Sequence, residues 1–61
     1  MKEIVNILMR RDGDSREEAV RRYKETRTMI DEALADGREY EVEDILLDEL
    51  GLELDYIWCF I

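Results

Sequence analysis

Three carboxylates, Glu41, Asp44 and Asp48, stand three and four residues apart, the spacing that stacks side chains along one side of a helix. Neighbours at that pitch lie roughly 5–6 Å apart and repel, and no basic residue between 41 and 55 relieves them. The chemistry open to such a row is binding. It imitates the charge pitch of a nucleic-acid strand and would attract an Arg/Lys-lined groove built for DNA or RNA. On the simpler reading the same acids form a solvated face that keeps the protein in solution. Tyr40 and Leu47, on the outward side of the same segment, favour the first reading, because aromatic and apolar anchors mark contact surfaces. The expected partner-binding set is Glu41, Asp44, Asp48, Tyr40 and Leu47, extended by Glu53 and Asp55.

Other chemistries find less support. General acid/base work needs a carboxylate displaced by burial or a His; the acids read as solvated and the chain has no His, so no enzyme activity is expected. Asp12-Gly13-Asp14 opens like a calcium loop, but Arg16 stands at the fifth loop position, Glu17 where Gly is required and Tyr23 where the closing Glu belongs. Cys59 is the single cysteine, too few for an internal disulfide or a metal cluster. No metal or cofactor is expected, and a reducing, cytoplasmic compartment fits. Gly13, Gly37 and Gly51 are too dispersed to cradle a phosphate. Arg10, Arg11, Arg16, Arg21, Arg22, Lys24 and Arg27 could make a basic stripe, yet Glu17, Glu18 and Glu25 are interleaved and the pI is about 4.4. Direct nucleic-acid binding is therefore not expected.

The elements that must position the row follow from periodicity and caps. The chain has 61 residues, no Pro, 46% apolar and 43% charged residues, which suits one small domain over residues 1–61 and argues against a disordered acidic tail. Ile4, Val5, Ile7, Leu8 and Met9 predict a short helix over Lys2 to Arg11 that is apolar around a wide arc. After the Asp12-to-Ser15 break, Ser15 and Glu18 form a capping-box pair, and Gly37 suits the residue just past a helix end. The longest helix should run between them to about Asp36, with Ala19, Tyr23, Thr26, Ile30 and Ala33 inward and Val20 and Leu34 flanking. Glu17–Arg21, Glu18–Arg22 and Arg21–Glu25 are placed to pair on its charged side. A third helix is predicted over Glu39 to Leu50, with Val42, Ile45, Leu46 and Leu50 inward and Gly51 closing it. The fold class is all-α: three helices plus a short helical turn over 52–61, with Asp55 as its candidate cap.

Charge divides sharply along the chain. Residues 1–30 hold eight bases and six acids, and residues 31–61 hold one base, Arg38, and eleven acids, so the net −8 comes wholly from the second half. The closing apolar run, Tyr56 to Ile61, is six residues, far short of the roughly 18 a membrane span needs. No cleavage site follows Met1 to Met9, so no signal peptide is expected. Tyr56, Ile57, Trp58, Phe60 and Ile61 exceed what one small core can cover, and a homodimer is the simplest arrangement that would bury them. The alternative is that this stretch folds back beneath the first two helices.

Arg11-Asp12-Gly13-Asp14-Ser15-Arg16-Glu17-Glu18-Ala19, the long charged helix, and Glu49-Leu50-Gly51-Leu52-Glu53-Leu54-Asp55-Tyr56-Ile57 together resemble a group of very small proteins of bacteria and their phages. Members of this type often carry Pro where Leu54 stands. The resemblance implies a phage or mobile-element origin. It is similar in kind to anti-CRISPR and other anti-defence inhibitors, several of which imitate DNA, and so implies a protein partner with a basic surface in a host defence complex. A homo-oligomeric adaptor or antitoxin-like module is the alternative function.

Overall fold

The computed structural model describes residues 2–60. Three α-helices, α1 (Lys2–Asp12), α2 (Arg16–Ala35) and α3 (Val42–Leu50), follow in order, with a 3₁₀ turn at Glu39–Glu41 leading into α3 and a 3₁₀ helix at Leu54–Cys59 after it. The protein is all-α, with no strand among the described residues.

The start of α2 is set by its capping box. Ser15 Oγ accepts the Glu18 amide at 3.1 Å and Glu18 Oε1 accepts the Ser15 amide at 3.2 Å, which satisfies two of the helix's orphan donors. Its end is set by Gly37 at φ 75°. The Gly37 amide bonds Leu34 O and the Arg38 amide bonds Ala33 O at 3.2 and 2.7 Å, the paired closure of a Schellman motif. The chain then reverses so that α3 packs along α2.

The core gathers Ile4, Val5 and Leu8 from α1, Ala19, Tyr23 and Ile30 from α2, Val42, Leu46 and Leu50 from α3, and Leu52 and Phe60 beyond it. Thr26 and Ala33 are buried as well, so all five residues of the expected inner face of α2 are covered. Ile45 is half-buried against this core. The first helix and the start of the second agree with the sequence expectation to within one residue, whereas the third begins as a 3₁₀ turn.

The closing stretch folds back rather than standing free. Phe60 is 3% exposed and stacks on Tyr23, ring centroids 4.8 Å apart, while the Tyr23 hydroxyl donates to Cys59 O at 2.6 Å. Placing Phe60 on a self-association surface is therefore incorrect: it is core. Tyr56 and Ile57 are half-buried against the same cluster, and among the described residues from Tyr56 on, Trp58, 79% exposed, is the one that stays outward. Ile61 lies outside the described residues. Asp55 does not cap the 3₁₀ helix; Glu53 occupies that position, with no side-chain cap bond.

Candidate functional site

Two arginines fix the end of α3 and thereby the surface it presents. Arg11 donates from Nη2 to Leu50 O at 2.5 Å and from Nη1 to Gly51 O at 3.1 Å, and Arg22 donates from Nη2 to Glu49 O at 3.2 Å. Cations at a helix C-terminus satisfy its orphan carbonyls and oppose its dipole. Asp12 and Asp14 aim them: Arg11 Nε lies 2.7 Å from Asp12 Oδ1, and Arg22 Nη1 lies 3.0 Å from Asp12 Oδ2 and 2.5 Å from Asp14 Oδ2. The Arg11 hydrogen bond, and then that of Arg22, holds the Asp12 carboxyl well below the usual carboxylate range. The pair that opens like a calcium loop is thus engaged with guanidinium groups. The same geometry engages both Arg11 and Arg22 at the end of α3, and Glu18, occupied in the capping box, does not pair with Arg22. On the charged side of α2, Arg21–Glu25 and Arg27–Asp31 approach to 3.9 Å.

Asp44 and Asp48 are exposed on α3, one helical turn apart on the side away from Val42 and Leu46. Among the described residues no ion pair reaches either of them, nor Glu43, Glu53 or Asp55. Glu41 differs. Arg38 donates from Nη1 to Glu41 Oε1 at 3.0 Å and from Nη2 to Asp36 Oδ2 at 2.9 Å, and those two carboxylates, Asp36 foremost, raise the Arg38 pKa. The expectation of a wholly uncompensated row is corrected here. The turn between α2 and α3 bends the one nearby base onto Glu41, which leaves Asp44 and Asp48 as its unrelieved part.

Apolar groups border these acids. Tyr40 is 75% and Leu47 59% exposed, as the sequence led one to expect. Leu47, Leu54 and the buried Leu52 line an open cavity of about 270 Å³ together with Glu43 and Glu53. Sequence reasoning passed over Glu43, Leu52 and Leu54. The available signal was the alternation Leu52-Glu53-Leu54 directly after Gly51, which at φ 63° turns the chain back beside α3. Trp58 does not line this cavity.

Cys59, half-buried, has its thiol 3.9 Å from Glu3 Oε2. No group of three or more His, Cys, Asp or Glu side chains converges as a metal site among the described residues, and no described helix is long and apolar enough to cross a membrane. Compared with known protein families, characterised proteins and solved structures, the chain matches none.

Proposed function

We propose that the chain is a non-enzymatic acidic inhibitor that seats its α3 face in a basic, nucleic-acid-binding groove of another protein, in partial imitation of DNA. The host-defence complexes of bacteria, CRISPR effectors among them, are the class of target that the resemblance of the sequence implies. The observation that carries this reading is the segregation of charge: Asp44 and Asp48 stand exposed with no ion pair among the described residues, while the only base of the second half, Arg38, is held by Asp36 and Glu41. Unrelieved like charge on a short helix costs stability, and a positive groove would offset that cost on binding.

Added to a purified, guide-loaded CRISPR effector, the chain is expected to displace target DNA, with inhibition weakening as salt rises. Asp44→Lys with Asp48→Lys should abolish inhibition while unfolding free energy stays within about 0.5 kcal/mol, since both sites are exposed. Glu41 is left in place because a lysine there would sit against Arg38. Inhibition unmoved by either salt or charge reversal would overturn the reading. A homo-oligomeric adaptor is the second reading, favoured by the outward Trp58; its contacts would be apolar and would survive charge reversal on α3.

A further inference from the structure

The Leu47–Leu54 cavity has the size and lining of an anchor point. Its apolar lining is Leu47 and Leu54, which stay 59% and 43% exposed, and Leu52, 4% exposed and part of the core. Leu52 is held by backbone: its amide bonds Leu46 O at 3.2 Å, and the residue before it bonds Leu47 O at 2.9 Å. The cavity is thus attached to the end of α3 that Arg11 and Arg22 grip. At about 270 Å³ it lies just under the roughly 300–1,000 Å³ of pockets that enclose a drug-sized ligand, with room for an apolar side chain.

The acidic part of the lining decides the occupant. Glu43 and Glu53 line the cavity together with the leucines, with no ion pair to either among the described residues. A second copy docking here by two-fold symmetry would bring the same glutamates against themselves, which like-charge repulsion opposes. A free anion or an acidic peptide is opposed for the same reason. We infer that the cavity is an anchoring subsite for an apolar side chain of a partner segment in which Lys or Arg flanks that side chain and meets Glu43 and Glu53. This rests on the acidic-face reading and adds to it: the partner is gripped by one buried apolar residue as well as by charge, which confers a specificity that charge alone lacks.

The test uses two labelled peptides of equal charge, a lysine-rich amphipathic peptide with central leucines and the same peptide with those leucines replaced by serine. Burial of one leucine should make the first bind about tenfold tighter or more, with backbone amide shifts centred on Leu47, Leu52 and Leu54. Leu47→Ser, at a site more than half exposed, should keep the helical circular dichroism and erase the preference. Equal affinity for the two peptides, no binding of either, or shifts confined to Tyr40 or Trp58 would overturn the subsite. If Asp44→Lys with Asp48→Lys abolishes binding while the peptides bind the unaltered chain equally, the subsite fails and the acidic-face reading stands. A leucine preference lost in Leu47→Ser and unchanged by that charge reversal would support the subsite and count against the wider reading.

Discussion

Two arginines finish α3, and their protonated state never lapses, so a pH dependence of this contact comes from Asp12. In the folded chain the Asp12 carboxyl is held below its ordinary value by Arg11 and then Arg22; unfolded, it returns to about 3.9. A depressed folded pKa means that the ionised form favours the fold, so the contribution is complete above about pH 3.9 and disappears as the pH falls through the folded value. Thermal melts should therefore show Asp12→Asn below the parent at neutral pH, with the gap closing below about pH 4. A gap that persists in acid would assign the effect to packing. Gly51 is constrained by the same arginine: it sits at φ 63°, and an added methyl would lie 3.4 Å from Arg11 Nη1. Left-handed backbone costs an L-residue about 1–2 kcal/mol, so Gly51→Ala should lower unfolding free energy by at least that much. Gly37→Ala, at φ 75° with open space around it, should show the backbone cost alone in urea titrations.

Among the elements, the closing 3₁₀ helix bears on stability more than its length suggests. Removing a buried Phe side chain costs about 3–5 kcal/mol, comparable with the whole margin of a core this small, and Phe60 is also the stacking partner of Tyr23. Phe60→Ala, or truncation after Asp55, should leave the chain largely unfolded by circular dichroism at room temperature, whereas Trp58→Ala should be nearly neutral. That difference was not legible in the sequence. A six-residue apolar run has no period long enough to say which side chains turn inward; Tyr23, far away in the chain, decides it through its ring and its hydroxyl. The second helix was legible because its signals are local: Ser15 and Glu18 cap it, and the spacing of Ala19, Tyr23, Thr26, Ile30 and Ala33 suits one buried stripe. Of the candidate site, exposure at Asp44, Asp48, Tyr40 and Leu47 followed from helical spacing alone. The engagement of Glu41 by Arg38 and the cavity lined by Leu47, Leu52 and Leu54 did not, since both depend on how the chain turns at Gly37 and Gly51.

On the scale of the molecule, 33 × 18 × 17 Å across the described residues, charge governs encounters. Copies that each carry −8 repel, and with Phe60 inside and Tyr56 and Ile57 half-covered, Trp58 is the aromatic residue of the closing stretch left for a homodimer. Self-association through it should accordingly rise with salt, the opposite of binding to a basic partner. Sedimentation at low and high salt checks this, with Trp58→Ser expected to return the chain to monomer; a parent chain that stays monomeric throughout would refute the dimer. The grip of Arg11 and Arg22 on α3 acts at this scale too. It joins residues 39, 40 and 27 positions apart, so α1, α2 and α3 share one set of bonds at the end of α3. None of the three can fray there without releasing charged groups from the other two. The chain should thus open as a single cooperative unit, and the amides of the last turn of α3, at a position where helices ordinarily exchange with solvent first, should exchange as slowly as those at its centre.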